Sequence, residues 1–431
     1  MGRRGRRRDD DDSQSGVGRC GGVPFRHTYG LIELRKYFDS FRLVAVCDRN
    51  ESAAEHVAGV AERELGERPA VFDDFDTMLS AVDSLDAVDV AADTASHHTI
   101  AEAALRAGLH VIVEKPMGVT LKACRRMYGA AAAAGRTLAI AENYRRDPLC
   151  RLAKALLDAG VIGEPRLALD VSVGGGDALM HNTSWRALRS RGGGFILEQG
   201  VHNADLLLYY LGEVESVFAE TSVLEKTLRR RGISADLQSF YSHRADDVFS
   251  TSETIEADAV DTGVAVMKFR SGAVCQLTMS RTSPGSHTSL ATVHGSLGTM
   301  VMPASRSGIG PTVMLEGREP LRGEALLELV PDMTLDEPTA AHFGGSRPIA
   351  SYGMSFEEVD RALVAIELED FARAIRTGRR PEVDQEAGMR AVALVYAVLE
   401  SGETGVPVKL RDVMDGTVAE YQRSVDEEND I

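Results

Sequence analysis

Seven residues, His110-Val111-Ile112-Val113-Glu114-Lys115-Pro116, restrict the fold of this chain more than any other stretch. Three consecutive β-branched residues read as a short buried strand, which stops at a carboxylate, an ammonium and a proline with no N–H to give to a ladder. In an open α/β sheet the carboxyl ends of the strands face the ligand crevice, so a rigid element delivers Lys115 to the edge of a binding site. A solvated Glu-Lys pair at an ordinary strand exit is the alternative, and the flanking sequence has to decide.

The flanks alternate between the two periods of secondary structure. Strands are predicted over 41–47, 70–72, 87–91 and 137–141, and helices over 29–38, 53–65, 75–82, 99–108 and 121–134. Short connections between alternating elements mean α/β with a doubly wound parallel sheet. Gly16-Val17-Gly18-Arg19-Cys20-Gly21 fits the GxGxxG spacing of a dinucleotide turn, and Asp48, at the end of the following strand, can accept both hydrogen bonds of an adenosine ribose. Asp48 favours NAD over NADP, although an aspartate in a plain turn gives the same sequence.

The stretch before those glycines runs Asp9 to Asp12 and then Ser13-Gln14-Ser15, which cannot form a buried central strand. A register that places the turn at Cys20-Gly21-Gly22-Val23-Pro24 is no better. The first strand is therefore expected to be degenerate or missing, through loss or a misassigned start or frame, and dinucleotide binding is expected to be weak. Residues 1–15, five arginines followed by four aspartates, read as a disordered tail.

With 431 residues the chain is long enough for two or three domains. Its 48 basic and 65 acidic residues give a formal charge of −17, which argues against nucleic acid or an anionic membrane as partner and leaves small molecules. Five scattered cysteines suggest neither a disulfide framework nor a zinc ribbon, so a cytoplasmic setting is expected. No metal site is expected: His97 and His98, at a strand-to-helix junction, lack further ligands nearby and read as capping or packing residues.

The nucleotide domain is placed at 16–146, and the texture changes after it. Long β-rich runs at 167–173, 215–223, 264–269, 274–280 and 290–294, with a hairpin turn at Arg270-Ser271-Gly272-Ala273, mark an α+β domain over 147–411 with a mainly antiparallel sheet. Residues 225–258 and 305–355 read as loops or insertions, 356–377 and 386–401 as helices, and 412–431 as an acidic C-terminal tail. Between the first two strands Glu198 and His202 stand four apart, on one face of a helix, where a carboxylate can orient an imidazole for proton transfer. A surface salt link is the plainer alternative.

Four stretches, in order, carry a resemblance. They are Thr94-Ala95-Ser96-His97-His98 with Ala107 to Pro116; Gly160-Val161-Ile162-Gly163-Glu164-Pro165; Trp185-Arg186 with Gly192 to Gly194 through Glu198, His202 and Asp205; and Glu369-Asp370-Phe371 through Gly378-Arg379-Arg380-Pro381. In these the chain resembles the glucose-fructose oxidoreductase and inositol dehydrogenase family (Gfo/Idh/MocA) over residues 16–411. Ala95 stands where that family usually has proline, and Glu198 where it usually has aspartate.

The resemblance implies a Rossmann-like domain for NAD, with NADP as the alternative, held by Gly16, Gly18, Gly21, Asp48, Glu114 and Pro116. It also implies an open-faced sheet used in a homodimer or homotetramer, and a sugar, inositol or related polyol as substrate. Lys115 would lie near the nicotinamide and the substrate hydroxyl, His202 would move the proton and Glu198 would orient either group. Asn143, Tyr144, Arg145, Trp185 and Arg186 are expected to contact substrate. A redox-assisted NAD-dependent glycosidase, a ligand-sensing regulator and a defective paralogue are the competing readings; the presence of both Lys115 and His202 speaks against the regulator.

Overall fold

The computed structural model describes residues 18–21, 25–83, 85–180, 183–231, 252–285 and 287–431. Six parallel strands build the N-terminal half: β1 (Gly18–Gly21), β2 (Phe41–Cys47), β3 (Ala70–Phe72), β4 (Ala87–Val90), β5 (His110–Glu114) and β6 (Leu138–Ala141), in the order β3-β2-β1-β4-β5-β6. Their crossovers contain α1 (Phe25–Leu34), α2 (Glu51–Leu65), α3 (Phe75–Ala81), α4 (His97–Arg106) and α5 (Leu121–Ala134). Val111, Ile112 and Val113 are buried, as expected of a parallel strand covered on both faces.

The central strand expected to be missing is present as four residues. Cys20 pairs with Leu43 of β2 on one side and Ala87 of β4 on the other. Hydrophobicity upstream of the glycines was the wrong place to look, because the strand is made of the glycine segment itself and its ladder needs only backbone groups. Gly18 and Gly21 consequently lie in β1 rather than in the turn that follows it. Residues 22–24 lie outside the described residues, as do Gly16 and the tail at 1–15. Helix α1 starts four residues earlier than the periodicity predicts, since Arg26 and His27 read as polar loop yet are held by buried carboxylates.

The second half is an eight-stranded sheet of β7 (Pro165–Val173), β8 (Val214–Ser222), β11 (Thr262–Phe269), β12 (Val274–Ser280), β13 (Thr288–Gly295), β14 (Gly298–Val301), β15 (Thr312–Leu315) and β16 (Val408–Lys409). Its order is β15-β14-β13-β7-β12-β11-β8-β16, antiparallel except for β7 beside β12. The predicted hairpin joins β11 to β12, with Gly272 at φ 92°. The two regions read as insertions carry regular structure: β9 (Thr227–Arg229) pairs with β10 (Thr254–Glu256), and β15, α8 (Glu324–Leu327) and α9 (Glu337–His342) fall within 305–355.

Helix α6 (Pro148–Asp158) leads into this half, and α7 (Gly194–Leu211) and α11 (Gln385–Thr404) cover one face of the sheet. Helix α10 (Phe356–Thr377) packs back against α1 and β2, stacking Phe371 on Phe41. After α12 (Leu410–Met414), the stretch expected as an acidic tail forms α13 (Glu420–Glu428), with Tyr421, Gln422 and Val425 buried. Five of its nine residues are charged, so composition alone hides the three that pack. Among the described residues no helix is long and apolar enough to cross a membrane.

Candidate active site

The carboxyl ends of β2, β4 and β5 open into a crevice of about 1240 Å³ whose far wall comes from the second half of the chain. Lys115 follows β5 directly, across a cis peptide to Pro116. Its Nζ donates to the backbone carbonyl of Glu198 at 2.8 Å and lies 3.5 Å from the Glu198 carboxylate. Glu198 sits in α7, which begins at Gly194 (φ 75°), where a Cβ would come within 2.4 Å of Ala259. Thr94 Oγ1 donates to Oε1 at 3.1 Å and Arg186 Nε approaches Oε2 at 3.4 Å. Burial raises the Glu198 carboxyl, but the Arg186 and Lys115 charges outweigh it and hold the group below its ordinary range.

One turn further along α7, His202 also lines the crevice. Its Nδ1 lies 2.6 Å from Oε2 of Glu142, at the end of β6, and Tyr144 stacks on its ring at 3.8 Å and 5°. Burial pushes the imidazole pKa down; Glu142 opposes this, and Lys115 and Arg306 add to it. Burial alone would raise Glu142, yet its contact with the ring holds it at about 2. The two groups titrate as a pair, and because burial disfavours an imidazolium, the state at neutral pH is an ionised Glu142 accepting Nδ1–H from a neutral ring. Nε2 makes no hydrogen bond among the described residues.

Glu198 and His202 share a helix face as the spacing predicts, but no hydrogen bond joins them. Glu198 attends Lys115, and Glu142 attends His202. The sequence reading missed Glu142, although its position directly after β6 matches that of Lys115 after β5. It also missed Arg306, whose guanidinium lies 4.9 Å over the Tyr144 ring and 3.0 Å from Asp360. Arg306 holds a left-handed φ of 63° within an irregular stretch, where no periodicity could have singled it out.

Of the expected substrate contacts, Tyr144, Trp185 and Arg186 line the crevice. Asn143 and Arg145 face elsewhere: Asn143 accepts from Arg306 at 2.6 Å, and Arg145 makes a two-pronged pair with Asp205. Of the expected cofactor contacts, Asp48 lines the crevice beside Asp73 and Asp74, with Oδ1 accepting from Asn50 N. Glu114 also lines it, but its carboxylate is already engaged: Oε1 accepts from Arg26 at 3.2 Å and faces His27 Nε2 at 3.0 Å, while Oε2 takes the Lys115 amide. Pro116 contributes its carbonyl to His97, which also faces the Ala92 carbonyl. That is the packing role expected of His97. Among the described residues no cluster of three or more His, Cys, Asp or Glu side chains could hold a metal.

Comparison with known proteins places the two halves of the chain in one family. Residues 17–142 match the model of an oxidoreductase family with an NAD-binding Rossmann fold, and residues 150–301 match the GFO/IDH/MocA C-terminal domain. The chain is 26% identical to myo-inositol 2-dehydrogenase of Thermotoga maritima over 400 residues, 93% of this chain and 98% of that one. It is 27% identical to levoglucosan dehydrogenase of Pseudarthrobacter phenanthrenivorans over 73% of this chain and 77% of that one. A levoglucosan dehydrogenase solved with NADH and levoglucosan shares the fold with a TM-score of 0.70 at 22% identity, covering 91% of this chain and 99% of the other. With both halves matched in order, the chain belongs to the GFO/IDH/MocA oxidoreductases, whose N-terminal domain is an NAD-binding Rossmann fold.

Proposed function

We propose that this protein is an NAD-dependent dehydrogenase that oxidises a secondary hydroxyl of a sugar, inositol or related polyol. One observation carries the reading: Lys115 from the nucleotide half and His202 from the sheet half line one crevice, each held by its own carboxylate. The crevice suits a dinucleotide, since Asp48 stands where a ribose would be recognised and Asp93 Oδ1, buried in the wall without a hydrogen bond among the described residues, can accept from a ligand hydroxyl.

When bound, the nicotinamide supplies the hydride acceptor. The protein's part is to handle the proton and the oxygen. His202 Nε2 removes the carbinol proton, Glu142 stabilises the imidazolium that forms, and Lys115 donates a charged hydrogen bond to the developing alkoxide. Glu198 fixes the ammonium and Arg186 braces the Glu198 carboxylate, while Tyr144, stacked on the His202 ring, holds the imidazole and Trp185 lines the space left for the substrate. The open sheet face supports a homo-oligomer, and the free thiols Cys47, Cys124, Cys150 and Cys275 suit the cytoplasm.

The test is NADH formation from myo-inositol, scyllo-inositol, levoglucosan and D-xylose, with NAD and NADP compared in each case. NADH accumulates with at least one substrate, and NAD is preferred because the carboxylates of Asp48, Asp73 and Asp74 repel a 2′-phosphate. Cofactor that cycles without accumulating would point instead to glycoside cleavage. A clear preference for NADP would overturn the assignment to Asp48.

A further inference from the structure

Several contacts at the rim of the crevice play no part in that mechanism, yet they join the two halves of the chain. Ala95 N–H, in the 3-10 turn Thr94–Ser96, donates to the Arg191 carbonyl at 3.0 Å. Asn429 Nδ2 donates to the Ser190 carbonyl at 2.8 Å. The Arg189 guanidinium lies 3.6 Å over the Tyr421 ring and donates to the Tyr421 carbonyl. Residues 189–191 are therefore gripped from two sides, by the nucleotide half and by α13.

Helix α13 is itself fixed at both ends. Gln422 Oε1 accepts from Leu121 N at 2.8 Å, Asp426 accepts from Thr120 Oγ1 at 2.6 Å, and Glu400 accepts from Tyr421 N at 2.8 Å. Val425 packs with Ala95 and Val119, and Glu428, Asn429 and Asp430 then line the crevice. The gripped segment lies between Trp185-Arg186 and the start of α7, and it is compact, with the Leu188 carbonyl accepting from Arg191, Gly192 and Gly193. A shift of residues 189–191 is therefore felt at Glu198, which holds the Lys115 ammonium, and at Arg186, which braces the Glu198 carboxylate.

We propose that α13 and the Ala95 amide form a clasp that sets the position of Arg186 and Glu198 against Lys115. Ala95 and Asn429 are positioning residues in it, and this role rests on the reading of the site given above. The clasp depends on this chain's own sequence: a proline at position 95 has no N–H and could not make the bond to Arg191.

The full-length Ala95→Pro and Asn429→Ala variants are compared with wild type and with Ala95→Ser, which keeps the amide. Hydrogen exchange is followed in peptides covering 184–193 and in α11. Loss of either clasp bond raises exchange over 184–193 by about tenfold, while α11 and the Ala95→Ser variant behave as wild type. Assayed with myo-inositol and levoglucosan, Ala95→Pro and Asn429→Ala lower kcat, and Ala95→Ser, which keeps the amide, restores it. Wild-type exchange in both variants, or a rise spread equally through α11, overturns the clasp. If wild type turns over neither probe, that counts against the proposed activity alone, and the exchange result still decides the clasp.

Discussion

The proton balance of His202 depends on a single carboxylate. Glu142→Gln leaves an acceptor for Nδ1–H but removes the charge that stabilises the imidazolium, so turnover falls by about 10² or more. The folded pKa of His202 lies below its ordinary value of 6.5, so the ring is neutral and competent as a base at neutral pH. The acid limb of kcat/KM therefore falls below about pH 6.5, and it moves further down in Glu142→Gln, where a raising influence is lost. Rates of NADH formation across pH check both statements; a limb above neutrality, or an unaffected Glu142→Gln variant, would assign the proton to another group.

A second residue makes stability depend on pH with the opposite sign to an ion-paired carboxylate. Glu367 on α10 is 1% exposed, its Oε2 has no hydrogen bond among the described residues, and burial pushes its carboxyl from 4.5 up to about 7. The folded state binds this proton more tightly than the unfolded chain does. Its contribution is thus complete below pH 4.5 and is lost as pH rises through about 7. Glu367→Gln flattens that loss, so the Tm of the variant exceeds that of wild type above about pH 7.5. An equal or lower Tm there would show that the ionised carboxylate is needed to balance Arg146 and His27. Glu142 had a signal in its place directly after a buried strand, but Glu367 could not be ranked from sequence, since one carboxylate among 65 acidic residues acquires its role only from what burial places beside it. Lys115 and His202 were legible because each stands at a fixed offset from a strand end or a glycine run.

Elements with a strong apolar period were readable and those built from glycine or charge were not. Helix α10 was placed at 356–377, as observed, whereas β1 and the first turn of α1 were misread because their stabilising partners come from elsewhere in the chain. The α1–α10 contact shows how tight such packing is: a Cβ on Gly30 would lie 2.2 Å from Val364 Cγ1. Gly30→Ala therefore overpacks this interface and destabilises by about 1–3 kcal/mol, although alanine is the better helix former. Gly200, inside α7, is the contrasting case. A Cβ there meets Val395 at 3.4 Å and Met279 at 3.6 Å, beside a void of about 10 Å³. Gly200→Ala stabilises by about 1 kcal/mol. Denaturant midpoints of the two variants should move in opposite directions, and a shift of the same sign in both would refute the packing account.

At the scale of the whole molecule, the eight-stranded sheet is covered on one face and open on the other. Val266 is 50% exposed, Val264 45% and Phe218 42%, and Leu167, Val274 and Leu290 are also exposed. Register places Val266 opposite Phe218 and Val274 opposite Leu167, so these side chains share one face across β8, β11, β12 and β7, interspersed with Glu220, Lys268, Gln276 and Thr278. Such a face is a candidate for self-association, because a lone protomer leaves its apolar residues in water at a cost that scales with their area. The open face was expected only from the resemblance, because which face of a strand a helix covers is decided by topology that alternation does not encode. Wild type is accordingly expected to sediment as a dimer or tetramer. Replacing the facing pair, Val266→Lys with Phe218→Lys, puts two like charges at the centre of the face and converts it to a monomer, since a buried unpaired ammonium opposes association more strongly than two apolar contacts favour it. Sedimentation velocity on both proteins reads this directly, and a monomeric wild type, or a double variant that stays associated, would move the interface off this face.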